Sequence, residues 1–554
     1  MNLAKEIRLF FKGDVETSAL VREEYSRDAS LFRIQPEIVV FPRDADDVQN
    51  LVRFAAKKKQ EGADISLTAR AGGTDMTGGP LSDSIVMVFT RHMNRLKGFL
   101  GDYITVEPGM YYRDFDVHTK KHGMILPSYP ASREICAVGG MVANNAGGEK
   151  NLKYGKTERY VKKITMILRD GKPHSFQALT KKELEKKMQQ DGIEGDIYRR
   201  MHDLILRNRE IIEKARPRVS KNSSGYYLWN IMDEEKGTFD LTKAIVGSQG
   251  TLGIITDVTF RLVHPAPYSS LVVMFLKDTK RLGEVITHVM RYKPESFESY
   301  DDHTFKVAVK FFPEFATRLK SNFFKLAFSF LPELWMVITG GIPKLVLLAE
   351  FTGNTQEKAG SQAKQAARDI RTNFDVAVKI ARTKAQAEKY WVMRRESFNL
   401  LRKRIRGLRT APFIDDIVVA PEHLTEFLPK LEAILDEYDN MIYTVAGHMG
   451  DGNFHIIPLM DPKDKTLQKT IQEAGHRVYE LVLSYHGSIS GEHNDGMVRG
   501  AYVEDMFGRE VYGMFEETKR IFDPENIFNP GKKVGGGSIE EVLKYLDKKT
   551  PYYK

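Results

Sequence analysis

The segment VGGMVANNAGGEKNLKYG, residues 138–155, sets two glycine pairs around two asparagines, just ahead of a basic and aromatic run. Paired glycines let backbone approach a flat ligand closely, and Asn144 and Asn145 add amide donors and acceptors. Two further loops have the same character. Upstream, Arg70-Ala71-Gly72-Gly73-Thr74-Asp75 lies between the strand-like runs ISLTAR (65–70) and SIVMVF (84–89), with Gly78-Gly79 following. Successive N–H groups in such a turn form a concave anion site able to take a pyrophosphate; a plain glycine-rich hairpin is the competing reading. Downstream, IVGSQGTLGIIT (245–256) sets small residues before an apolar strand, and Pro127-Ser128-Tyr129-Pro130 leads through Ser132 into the central segment. Three small-residue loops, each after a strand, suggest a large extended cofactor. Neither G-x-G-x-x-G nor a G-x-x-x-x-G-K-[ST] phosphate loop occurs.

The alternation of strand-like and helix-like runs over 31–265 gives one domain, closed by Pro265-Ala266-Pro267. Beyond it SSLVVMFL (269–276), KLVLLAEF (344–351) and NFDVAVKIAR (373–382) read as strands separated by helices, which suggests a second α+β domain on an antiparallel sheet over 266–490. Residues 1–30 read as an N-terminal helical lead, and 491–554 as a helical C-terminal segment stopped by the prolines of FDPENIFNPGK. The aromatic- and lysine-rich stretch 305–342 reads either as an amphipathic patch on a membrane surface or as a buried helix of the second domain.

Composition narrows the class. The 554 residues, 42% hydrophobic and 28% charged, are those of an ordinary globular protein with more than one domain. The net charge of +9 is modest for the length and accompanies no basic-aromatic nucleic-acid module. Cys136, the only cysteine, excludes internal disulfides and a cysteine-ligated iron–sulfur cluster within one chain, and fits a reducing cytoplasm. The N-terminus lacks a signal-peptide pattern, and no run of about 18 apolar residues is present to span a bilayer.

Chemistry concentrates late in the chain, in GHMGDGNFH (447–455) and SISGEHNDG (488–496). His448 and His455 are seven apart, so a regular strand points them to opposite faces, and a helix sets them about 10 Å apart along its axis. The Gly450-Asp451-Gly452 insert permits a bend that lets both rings converge. With Glu492 they form a His/His/Glu set suited to zinc or manganese, and His493 is then a base beside the metal. Buried histidines in a glycine-rich turn are the bland alternative.

The three loops, in this order, resemble the FAD-binding domain of the vanillyl-alcohol oxidase and p-cresol methylhydroxylase (PCMH) superfamily. GHMGDGNFH, SISGEHNDG and FDPENIFNPGK resemble its D-2-hydroxyacid dehydrogenase branch, and the likeness runs from about Tyr25 to Lys532. It implies an α+β chain with a two-lobed PCMH-type FAD-binding domain and an antiparallel cap domain, its terminal helices returning to the flavin. It implies FAD on Arg70, Gly72, Gly73, Thr74, Asp75, Pro127, Ser132, Gly139, Gly140, Asn144, Gly147, Tyr154, Gly155, Gly250, Ile255 and Asn529. Thr74 stands where covalent members often carry histidine, so noncovalent FAD is expected.

Trp391-Val392-Met393-Arg394 resembles the family's W-x-x-R, whose arginine takes the substrate carboxylate, and Lys221 and Asn222 match a motif at the cavity wall. Gln249 and Asn494 depart from the pattern, and the iron–sulfur extension of some relatives is missing.

The reaction so implied is oxidation of a D-2-hydroxy acid to the 2-oxo acid. A metal on His448, His455 and Glu492 assists, His493 is general base, Arg394 anchors the carboxylate, and hydride goes to flavin N5. Electrons then pass to a quinone or an electron-transfer protein, with the chain cytoplasmic or peripheral on the inner membrane face and an oligomer allowed. Two rivals are an alkylglycerone-phosphate synthase-like transferase and a non-catalytic electron-relay subunit. The first carries a run of histidines where this chain has Glu492-His493-Asn494.

Overall fold

A computed structural model describes residues 3–302, 341–383, 386–395 and 407–548. The 305–342 stretch lies outside the described residues except for Gly341 and Ile342. Residues before Ile34 form two short helices, Leu3–Arg8 and Ala19–Glu24, with a strand between them.

That strand, Asp14–Glu16, edges a four-stranded sheet continued by Ile38–Phe41, Ile85–Val88 and Leu67–Arg70. The last three run parallel, which requires crossovers, and the helix Ala45–Gln60 supplies one. Asp44 caps that helix through the Asp47 N–H, and Val48, Leu51, Val52 and Ala55 form its buried stripe. Every residue of Ile38–Phe41 and of Ile85–Val88 is buried, as in a sheet covered on both faces. The 70–75 turn leaves the C-terminal edge of this sheet.

A second sheet is antiparallel throughout, in the order Leu96–Leu100, Tyr103–Val106, Ile254–Arg261, Val161–Ile167, Pro173–Gln177. Ile254–Arg261 alternates buried and part-exposed residues, the period of a half-covered strand. Val138–Asn144 is a helix that ends at Asn145 in the left-handed region (φ 50°), turning the chain into the second glycine pair. The lysine-rich 180–215 stretch is helical, as Lys181–Met188, Ile193–Arg207 and Arg209–Ala215.

The cap sheet has seven antiparallel strands in the order Ala377–Ala381, Tyr268–Leu276, Leu345–Gly353, Ser296–Asp301, Val445–His448, Asn453–Ile456, Ile417–Val418. Gln356–Asn373 packs on it through Ala359, Ala363, Ala366, Ala367 and Ile370, small residues that let the helix sit close. Val503–Phe522 breaks at Gly508 (φ 77°) and stops at Asp523-Pro524. The chain then returns to the first sheet, where Leu67 N–H donates to Ile527 O at 2.8 Å and Asn529 N–H to Leu67 O at 3.0 Å.

Candidate active site

The histidine spacing that suits neither strand nor helix is resolved by a fold-back. Val445–His448 pairs antiparallel with Asn453–Ile456, with Ala446 opposite His455 and His448 opposite Asn453. His448 shares a face with Ala446, as alternate strand residues do, and therefore with His455. A single 3-10 turn, Met449–Asp451, and Gly452 in the left-handed region (φ 63°) close the hairpin. A Cβ at Gly452 meets Val419 O at 1.8 Å, so glycine is obligatory there.

The 488–496 segment brings Glu492 to this face. Its Oε1 is 3.2 Å from His448 Nε2 and 3.4 Å from His455 Nε2. Ligands about 2.0–2.1 Å from a tetrahedral ion lie roughly 3.4 Å from one another, so these separations fit a first-row divalent cation. The outer nitrogens are held by carboxylates, His448 Nδ1 by Glu298 at 2.7 Å and His455 Nδ1 by Asp415 at 3.2 Å. Such carboxylate–histidine pairs fix ring orientation and leave Nε2 for an ion. Asp415 also meets His493 Nδ1 at 2.7 Å, and the His455 and His493 rings stack at 5.0 Å.

Asp416, His455, Glu492 and His493 each bring one ligand atom within 4.8 Å of the others, and His448 joins them through Glu492. The Asp416 carboxylate is already engaged. Its Oδ2 accepts from the backbone of Glu492 (2.8 Å) and His493 (2.7 Å) and from Ser490 Oγ (2.9 Å), and its Oδ1 from Asn453 Nδ2 (3.0 Å). Asp416 therefore shapes the loop that presents Glu492.

The electrostatics also fit a cation. Burial pushes the His455 imidazole down, but Asp415 and Glu492 outweigh it and raise it to about 10. Burial also lowers His493, with Asp415 and Asp416 again prevailing to raise it. For Glu492 burial acts upward, yet Lys221 and His448 hold it well below the carboxylate range. Lys221 Nζ lies 3.2 Å from Glu492 Oε2, 3.5 Å from Asp451 and 3.3 Å from Asn453 Oδ1. Asn222 is likewise tied to protein groups, accepting from Ser488 Oγ at 2.7 Å and donating to Ser224 O at 2.9 Å. Arg394 reaches the cluster from the helical stretch 386–395. Its Nη2 lies 3.3 Å from Glu298 Oε2, while its buried Nε has no hydrogen-bond partner among the described residues.

The flavin-side loops converge on the same place. Among the described residues the N–H groups of Ala71, Gly72, Gly73 and Thr74 meet no protein acceptor. Gly73 is left-handed (φ 66°), a Cβ at Gly72 meets Ile135 O at 2.6 Å, and buried Arg70 Nη1 has no hydrogen-bond partner among the described residues. A glycine turn with free N–H groups beside a guanidinium fits a pyrophosphate. Asp75 works inside the turn, its Oδ2 accepting from Thr77 N (3.0 Å) and Gly79 N (2.8 Å) and its Oδ1 from Asn144 Nδ2 (2.6 Å). Asn144 Nδ2 also reaches His493 O at 3.4 Å, joining this turn to the segment that presents Glu492.

Gly139 packs on Pro108, where a Cβ lies 2.6 Å from the proline Cβ, while Gly140 stays open apart from Ala71. A Cβ at Gly147 lies 1.9 Å from Asn151 Nδ2 and 2.9 Å from Glu492 Oε2, so the central loop touches the proposed metal ligand. Gly155 and Gly250 are left-handed (φ 72° and 70°), and Ile255 lies on the second sheet. Ser132 O accepts from Ile135 N–H and Cys136 N–H, and Pro127 is buried. Tyr154 OH points to Glu295 at 3.4 Å. Asn529 Nδ2 donates to Gly79 O (3.0 Å) and Gln249 O (2.7 Å), knitting the C-terminal return to the first and third loops. Sequence reading missed Glu298, Asp415 and Asp416; the one signal was two acids inside the apolar run FIDDIVV (413–419).

Residues 36–177 match the family described as FAD binding domain, and residues 266–533 the family described as FAD linked oxidases, C-terminal domain. A D-2-hydroxyglutarate dehydrogenase of Pseudomonas putida is 27% identical over 539 residues, 94% of this chain and 50% of that protein. The chain thus spans about half the length of the curated relatives it matches first. A D-lactate dehydrogenase of Anaerostipes hadrus is 26% identical over 518 residues, 92% of this chain and 93% of that one. In fold, p-cresol methylhydroxylase superposes with a TM-score of 0.66 at 14% identity, over 97% of this chain and 96% of its own. With an FAD binding domain and an FAD linked oxidase C-terminal domain that together account for most of its length, the chain belongs to the FAD-linked oxidases, in the fold of p-cresol methylhydroxylase.

Proposed function

We propose that the chain oxidises a D-2-hydroxy acid to the 2-oxo acid. The observation that carries this is the meeting of His448, His455 and Glu492 with His493 and Arg394 against the loop that ends at Gly147. Both groups implied by the family have fitting residues: FAD on the three glycine loops and Asn529, a zinc or manganese ion on His448, His455 and Glu492. When bound, FAD supplies a two-electron acceptor and the metal a Lewis acid that lowers the substrate hydroxyl pKa.

The rest falls to the chain. Arg394, with Nε unpartnered among the described residues and its fork steadied by Glu298, receives the substrate carboxylate. His493, whose Nδ1 lies 2.7 Å from the Asp415 carboxylate, takes the hydroxyl proton at Nε2 as hydride leaves C2, so that an alcohol becomes a carbonyl and two electrons are handed on. Lys221 offsets the charge of Glu492 from behind. The D preference rests on the names of relatives, and the final acceptor we take to be a quinone or an electron-transfer protein.

The test is anaerobic reduction. His493→Ala is expected to keep bound flavin yet slow its bleaching by a D-2-hydroxy acid by about 100-fold or more. Bleaching at the wild-type rate removes His493 as base.

A further inference from the structure

The arginine that follows the proposed carboxylate anchor has a different assignment. Neighbouring helix residues project about 100° apart, so Arg394 and Arg395 leave the helical stretch 386–395 in different directions. Arg394 turns to Glu298 in the cap. Arg395 crosses to the flavin-side lobe and grips Glu149 in a two-pronged pair, Nε to Oε2 at 3.0 Å and Nη2 to Oε1 at 2.7 Å. Its guanidinium also lies 5.2 Å from the Trp391 ring, and Tyr129 OH donates to Glu149 Oε1 at 3.2 Å. The arginine and glutamate side chains are 31% and 18% exposed, so the pair is largely withdrawn from screening water.

The position of Glu149 gives this contact its meaning. It follows Gly147-Gly148 directly, Gly147 packs on Glu492, and Gly148 packs on Tyr129 O (2.3 Å to a built Cβ). One short loop therefore touches the proposed metal ligand on one side and grips the helix of the proposed carboxylate anchor on the other.

We propose that Glu149 and Arg395 are a positioning pair that sets Arg394, and with it the substrate carboxylate, in register with the flavin and the Glu492 side chain. Neither residue touches the reacting atoms. A planar fork on a carboxylate fixes both distance and rotation, which a lysine in the same place cannot do. The inference rests on the reading of Arg394 as the carboxylate anchor.

The test compares Arg395→Gln, Arg395→Lys, Glu149→Gln and the exchanged pair Glu149→Arg with Arg395→Glu, each as the full chain reconstituted with FAD. Misplacing a substrate anchor costs on the order of 10- to 100-fold, so each single variant is expected to raise KM for the hydroxy acid by about that factor. FAD affinity is expected to stay near wild type, and kcat to fall much less than KM rises. The exchanged pair is expected to recover most of the KM change, which lost packing alone does not allow. An unchanged KM in Arg395→Gln, or an exchanged pair no better than the singles, overturns the proposal.

A second readout separates this proposal from the functional reading. If no 2-hydroxy acid bleaches the wild-type flavin, the functional reading fails. Amide hydrogen exchange over residues 147–154 then judges the pair: faster exchange in Arg395→Gln supports it, and unchanged exchange overturns it.

Discussion

At the scale of single residues, two buried carboxylates each hold two of the groups that matter. Glu298 joins His448 to Arg394, and Asp415 joins His455 to His493. Removing the charge and one acceptor from such a partner typically costs 10- to 100-fold in metal affinity. Asp415→Asn is therefore expected to weaken zinc binding to the flavin-loaded protein by roughly that factor, read by competition with a chromophoric chelator. Zinc affinity equal to wild type contradicts the assignment of His455 as a ligand oriented by Asp415. The histidines and Glu492 were legible in the sequence because chemistry-bearing residues stood out among glycines. Glu298 and Asp415 were not, because a carboxylate behind a histidine is defined by a partner far away along the chain, here 150 residues for His448 and Glu298.

Elements explain why those residues converge. The seven-residue spacing of His448 and His455 requires a bend at Gly450-Asp451-Gly452, and the bend is a complete reversal that makes the two histidines cross-strand neighbours. An alanine at Gly452 has to hold φ 63° and place its Cβ 1.8 Å from Val419 O. Gly452→Ala is expected to lose at least about 2 kcal/mol of stability, measured by denaturant melts, together with most of its metal affinity. Wild-type melting rules out this hairpin geometry. Strands 269–276 and 344–351 were legible from their apolar runs. Ser296–Asp301 was not, because its sequence SFESYD carries no apolar period although every residue is buried. Its polar side chains face partners that only the assembled cap supplies, among them His448 and Arg394 for Glu298 and the Val445 N–H for Asp301.

At the scale of the whole molecule, charge holds the cap against the flavin-side lobe. Glu295 receives Lys150 at 2.5 Å, Lys153 at 2.8 Å and Thr352 Oγ1 at 2.7 Å, with its side chain 2% exposed. Burial pushes this carboxyl up, but Lys150 and Lys153 prevail and bring it to about 2. A folded-state value below the ordinary one, about 4.3, means that the stabilisation is complete above that value and is lost as pH falls from it toward about 2. Thermal melts of wild type and Glu295→Gln are therefore expected to converge as pH falls through that window, and a constant gap contradicts the latch.

The same lobes hold the central claim, that a chelated cation and a flavin act on one 2-hydroxy acid at their junction. Anaerobic flavin bleaching tests it most directly, followed in the FAD-loaded chain before chelation, after chelation and after zinc or manganese is returned. The account predicts rapid bleaching by a D-2-hydroxy acid, its loss on chelation with FAD still bound, and its recovery with metal. Bleaching that survives removal of the metal, or that no 2-hydroxy acid produces, contradicts it.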